Sequence, residues 1–286
     1  MKILLALILT CLPHICLAQV QSFEILNPQV KQGDTLIIRI NPQWQVAGVG
    51  ILLEGANISA NNLGYVFVGI GVDVKPERHS VFLTEYGVVR MDIPPVEFEV
   101  QVRNFSEWFR GSVPIPSRVV RERLLKDRQL KESAYILAES FEDLTSGEYN
   151  YPLDTASVTN EFGNRRLYGR RRNKPELVVP HGGIDLRAPL KTKIKAINSG
   201  KVLLARRMLA DGNLLILDHG SGIISMYLHL SRFTVKEGEN IKTGQVVAYS
   251  GNTGGVPPHL DFRIKVHDTY IDPLEFIKIY NEKVAP

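Results

Sequence analysis

HGGIDLRAPLKTKIKAINSGKV, residues 181–202, carries two signals at once. Its second half reads as strand: KTKIKAI alternates, a glycine turn follows, and GKV opens the next run. Its first half sets His181 and Asp185 four residues apart across a glycine pair. On a regular strand those two side chains would stand about 13 Å apart, at roughly 3.3 Å per residue. Two ligands of one zinc ion must each come within about 2 Å of the metal. Gly182 and Gly183 are read as the bend that reconciles the two, because glycine permits a tight turn.

The strand pattern extends outward from there. GKVLLARR, GNLLILDHG, GIISMYLHL, QVVAYSG and HLDFRIKV are short apolar runs bounded by turn residues, and little reads as helix before DPLEFIKIY. Residues 151–286 are expected to form an antiparallel β domain. Upstream, GDTLIIRI and VEFEVQVRNF alternate, and turn clusters recur at sandwich-like spacing, so residues 19–103 are read as a β-sandwich. The lone GIG at 69–71 lacks the lysine and helix start of a phosphate loop. Residues 104–150 are read as linker and helix, with Ser117 placed to cap a run of strong helix formers. The fold class is all-β, with a helical linker between two β units.

Residues 1–18 have the parts of a secretory signal: Lys2, an apolar stretch from Ile3 to Leu12, and a small residue before Gln19. The apolar run is short for a bilayer span, so a signal peptide is expected rather than a stable membrane insertion. Both cysteines, Cys11 and Cys16, fall inside it, which excludes disulfides and thiolate ligands from the remainder. Charge is divided unevenly: residues 19–150 carry a net −4 and residues 151–286 a net +7. In an exported chain, periplasmic or extracellular, a basic half suits cell-wall polymer or a membrane surface better than nucleic acid.

Three stretches hold the metal-competent side chains: HGGID, YLHL with His229, and PPHLD with His259 and Asp261. His259 and Asp261 belong on one face of a strand, about 7 Å apart. A lone histidine in an apolar strand, as His229 is, is more often a satisfied core residue. His219 looks like a turn histidine without a role. His267 would lie about 20 Å from Asp261 along an extended strand, too far to serve as a ligand. The basic run RRLYGRRRNK, residues 165–174, either lines a groove or is a solvated loop.

Residues 155–265 resemble the catalytic domain of the lysostaphin/LytM-type zinc metallopeptidases, which cut peptide cross-links in bacterial cell walls. The likeness rests on SVTNEFGNRR, HGGIDLRAPLKTKIKAINSGKV, LDHGSGIISMYLHL and VKEGENIKTGQVVAYSGNTG followed by PPHLDF. The preceding unit resembles the Ig-like β domain of exported relatives. The resemblance implies one Zn2+ ion held by His181 and Asp185, with His229 and His259 assisting the chemistry. The family's third ligand is the second histidine of an HxH motif, and Asp261 stands in its place.

Zinc accepts carboxylate oxygen at nearly the distance of imidazole nitrogen, so Asp261 remains an expected ligand. Two aspartates would cancel the charge of a divalent ion, giving a poorer Lewis acid and weaker binding. The expected function is a metal-dependent endopeptidase acting on peptidoglycan peptides. The alternative is an impaired relative that binds cell wall or regulates another wall enzyme as its partner. A biotinyl or lipoyl carrier is set aside, because no lysine-bearing hairpin tip is found.

Overall fold

The computed structural model describes residues 22–45, 48–111, 117–138, 143–169, 173–174 and 176–285. The expected signal at 1–18 and Arg170–Arg172 of the basic run lie outside the described residues.

Residues 22–101 fold as two sheets over a shared core. One has three strands, with Thr35–Ile40 between Phe23–Ile25 and Tyr65–Gly69. The other runs Gln29–Lys31, Val96–Gln101, Arg78–Glu85, Val49–Leu53, Ala56–Ser59. Alternation decides which side chains go inside: Ile38 and Val66 from the first sheet meet Ile51, Val81 and Phe98 from the second. Each such apolar side chain, fully buried, contributes about 1.5–3 kcal/mol. The Gln29–Lys31 strand pairs in parallel with Val96–Gln101.

The C-terminal β unit is built on an eight-stranded sheet. Its order is Val158–Asn160, Ile184–Leu186, Leu260–Val266, Ile223–Leu230, Asn213–Asp218, Gly200–Arg207, Asn240–Ile241, with Thr269–Ile271 beside Leu260–Val266. Every pairing in it is antiparallel. The Ile223–Leu230 strand is buried at all eight positions, because both faces of the sheet are covered. One face packs on the main core with Ile194, Val247 and Phe276. The other is covered by α1 (Arg118–Leu137), whose Ala134 meets Leu214, Ile216 and Met226.

α1 starts where Ser117 accepts a hydrogen bond from Val120 N at 3.3 Å. The segment 104–150 also contributes a strand the pattern did not reveal. Glu107–Gly111 pairs in parallel with Arg165–Tyr168, which in turn pairs with Leu177–Pro180. A second helix, α2 (Pro273–Lys283), begins at Asp272, whose Oδ1 accepts from Leu274 N at 3.0 Å.

The two β units pack closely. Ile37 and Phe67 of the first enter the core of the second, and Phe67 stacks on Tyr280 at 5.8 Å. Arg103 bridges them, pairing with Asp34 at 3.0 Å and Asp272 at 3.1 Å.

Candidate active site

Strand register brings the site together. Asp185 lies directly opposite Asp261 on the neighbouring strand, and Leu228 lies opposite Asp261 on the other side. His229, one residue on and next to last in its strand, has φ 60°, a left-handed conformation that is uncommon for a residue with a Cβ. His259 sits just before the Leu260–Val266 strand, in a bridge with Gly251.

The HGGI turn does its work by close approach rather than by the left-handed backbone freedom of glycine. Neither Gly182 nor Gly183 has φ in the left-handed region. A Cβ on Gly183 would lie 2.3 Å from Phe262 O and 2.4 Å from Arg263 Cγ, and one on Gly182 would press on the Tyr270 ring at 3.2 Å. Gly183→Ala is therefore expected to lower stability by about 1–3 kcal/mol, the usual cost of overpacking. A denaturation midpoint unchanged from wild type would show that the neighbouring strand gives way instead.

The turn carries His181 back over the sheet, so that its Nε2 lies 3.1 Å from Asp185 Oδ1. One ligand atom from each of His181, Asp185 and Asp261 can be chosen so that all three lie within 4.8 Å of one another. Asn160 donates to Asp185 Oδ2 at 3.0 Å, and Arg166 approaches the same oxygen at 3.8 Å. Burial would raise the Asp185 carboxyl, but the His181 hydrogen bond and charge hold it below its ordinary value.

The two remaining histidines stand beside this group, their rings 4.9 Å apart. His229 Nδ1 lies 2.8 Å from Thr253 O and His259 Nδ1 2.7 Å from Pro257 O. A carbonyl only accepts, so both Nδ1 atoms carry the proton and, in the neutral rings, both Nε2 atoms are free to accept. His259 Nε2 is 3.7 Å from Asp185 Oδ1. Burial lowers the pKa of His229, which favours its neutral form. His219, by contrast, is a core residue bonded to Ser199 O and Ser225 Oγ, each at 2.8 Å. His267 occupies a turn with φ 51°, outside the cluster.

Asp261 is where the structure adds most. Arg263 Nε donates to its Oδ1 at 2.8 Å, and Nη2 donates to its Oδ2 at 2.6 Å. Burial would raise the Asp261 carboxyl, yet the charge and hydrogen bonds of Arg263 outweigh it and hold the pKa well below the carboxylate range. Arg263 was missed in the sequence, although it stands two residues beyond Asp261 in HLDFRIKV and hence on the same strand face. Of the basic run, Arg166 reaches the site, while Arg165 pairs with Glu107 at 3.6 Å.

The donor set suits a divalent ion. Among the described residues His181 Nδ1 is buried without a hydrogen-bond partner, and His181 Nε2 and Asp185 Oδ1 are spaced as two ligands of one metal would be. Both Asp261 oxygens are engaged by Arg263, but each keeps a lone pair. The fixed charge of Arg263 also revises the expectation of a neutralised centre. The Asp261–Arg263 pair carries no net charge, as an imidazole would not, so a bound ion keeps one positive charge uncancelled.

Residues 179–273 match the model of Peptidase family M23. The fold extends further: a structure of a putative peptidase M23 from Pseudomonas aeruginosa aligns over 86% of this chain and 94% of its own, with a TM-score of 0.63 and 23% identity. The chain carries a peptidase M23 domain. Peptidoglycan DD-endopeptidase ShyB of Vibrio cholerae serotype O1 is 34% identical over 131 residues, which are 44% of this chain and 29% of that protein. Lysostaphin of Staphylococcus simulans is 37% identical over 105 residues, 34% of this chain and 21% of its own. The domain is thus homologous to the lysostaphin/LytM-type peptidoglycan endopeptidases, although the aligned segment spans under a third of either relative.

Proposed function

We propose that the chain is an exported, metal-dependent endopeptidase that hydrolyses peptide cross-links of bacterial peptidoglycan. His181, Asp185 and Asp261 would hold one zinc ion, and His229 and His259 would move protons. The supporting observation is the convergence of these five side chains from three separate stretches, with the two free Nε2 atoms beside the acidic group. Zinc, when bound there, supplies Lewis acidity toward the scissile carbonyl and lowers the pKa of water.

The side chains divide the remaining work. His229, kept neutral by burial, takes a proton at Nε2 from the attacking water. His229 then returns that proton to the leaving amine, while His259, when protonated at Nε2, donates to the charge that develops on the substrate. Asn160 orients Asp185 through its second oxygen, as outer-shell partners of ligating carboxylates do. Export is supported by the signal pattern at 1–18, and no described helix is long and apolar enough to cross a membrane.

One observation favours a second reading. The buried Asp261–Arg263 pair satisfies Asp261 without an ion, as a wall-binding or regulatory relative would need. Metal analysis of the purified protein, with wall digestion alongside, separates the two. One bound ion and released muropeptides support the peptidase. A metal-free, inert wild type supports the binder. Asp261→His tests for a silenced site, and it should be paired with Asp261→His/Arg263→Gln, because the single change leaves a half-buried guanidinium without its carboxylate.

A further inference from the structure

The Ile223–Leu230 strand carries a bulge where it meets the site. Leu215 lies opposite Tyr227 and Asn213 opposite Leu230, so Leu228 and His229 together face the one residue Leu214. A bulge takes one residue out of the ladder and re-aims a side chain, and glycine usually fills a left-handed place in it. His229 fills it here with φ 60°, a strained backbone that persists only where neighbouring groups over-determine it. Its N–H bonds to Asp211 O at 3.0 Å, and Asp211 belongs to no strand.

That acceptor sits in the loop 208–212, between Gly200–Arg207 and Asn213–Asp218. Met208 N bonds across the loop to Gly212 O at 2.7 Å. Two side chains one helical turn apart on α1 grip it from outside. Asp127 Oδ2 accepts from Leu209 N at 2.6 Å, and Lys131 Nζ donates to Asp211 Oδ2 at 2.7 Å. Asp127 is buried and the Lys131–Asp211 pair partly so, which shields both contacts from screening. Gly212 closes the loop against Thr253, where a Cβ would lie 2.4 Å from Thr253 Oγ1. Thr253 Oγ1 accepts from Asn213 N, and Thr253 O receives the Nδ1–H of His229, each at 2.8 Å. The loop thus reaches His229 twice, at the backbone through Asp211 and at the ring through Thr253.

We propose that Lys131, with Asp127 beside it, is a positioning residue for His229: α1 clamps the loop 208–212, and the clamped loop holds the histidine in its bulge and so aims Nε2. This rests on the peptidase reading above and adds to its apparatus a helix that lies outside residues 179–273. Lys131 is the main lever, because a charge-assisted hydrogen bond is about twice as strong as a neutral one.

The test compares the full chain with Lys131→Met, Lys131→Arg and Asp211→Asn. Nitrogen NMR of the imidazoles is recorded with a chelator present and at alkaline pH, where the rings are neutral. Wild-type His229 should show a single Nδ1–H tautomer, as its bond to Thr253 O requires. Lys131→Met and Asp211→Asn should both lose that signature and show mixed tautomers, and Lys131→Arg should restore it. His219, held in the core by Ser199 O and Ser225 Oγ, should keep its signals throughout. Turnover of a soluble cross-linked muropeptide dimer, assayed with zinc, should fall about tenfold in Lys131→Met with KM unchanged, the worth of one charge-assisted hydrogen bond. Circular dichroism checks that each variant is folded, and Asp211→Asn leaves the helix itself untouched.

A single His229 tautomer surviving in Lys131→Met overturns the clamp. So does a change that His219 shares, which would be general loosening. Unchanged turnover in a variant whose His229 has come free overturns the positioning role. An inert wild type with the expected spectra would keep the clamp and remove the peptidase reading.

Discussion

Arg263→Met is expected to destabilise the C-terminal unit by about 3–5 kcal/mol, the cost of leaving one member of a buried ion pair without its partner. Asp261 is 3% exposed, and both its oxygens bond to Arg263. No other hydrogen bond reaches them among the described residues, so the variant leaves a carboxylate enclosed by protein. The pair itself should be worth far less, because desolvation offsets most of its attraction. Asp261→Leu/Arg263→Met should accordingly recover most of the lost stability. Denaturant unfolding of the two variants measures both effects. A single variant within about 1 kcal/mol of wild type would mean that water reaches Asp261, and the argument for a fixed guanidinium would go with it.

Asp185→Ala should remove hydrolysis and metal together. It deletes the carboxylate that meets His181 and Asn160 and faces Asp261 across the strand pair. The ion's charge stabilisation is worth several kcal/mol in such reactions. Each 1.4 kcal/mol or so is a factor of about ten in rate, so muropeptide release should fall about a thousandfold. Bound metal should fall with it, whereas His267→Gln, at its turn outside the cluster, should leave both as in the wild type. Digestion that persists in Asp185→Ala would place the chemistry elsewhere.

The strands of the C-terminal unit were legible because period-two apolar runs and glycine turns mark them locally. The Glu107–Gly111 strand was not, since its partner lies more than fifty residues away and its own sequence, EWFRG, does not alternate. The immunoglobulin likeness of the first unit remains an expectation: the structure gives two sheets and a parallel Gln29–Lys31 pair, which composition could not foretell. Within the site, His181, Asp185 and Asp261 were readable as metal-competent residue types. What was hidden is pairwise. Arg263 has no meaning as a lone basic residue and acquires one only when the strand face sets it beside Asp261. Gly183 was expected to supply a bend, and the need for it comes from Phe262 and Arg263 on the adjacent strand.

The helix laid over the back of the main sheet sets how small this molecule can be made. α1 lies wholly upstream of residues 179–273, yet Ala134 and Ala138 close the apolar layer formed by Leu214, Ile216, Met226 and Leu228. Lys131 also ties down Asp211 at 2.7 Å, and Asp211 O receives the backbone N–H of His229. A fragment trimmed to the matched residues would present that layer to water and invite self-association. Evolutionary boundaries and folding boundaries therefore do not coincide here, and the chain from Ser117 onward is the shorter unit that keeps its own back covered.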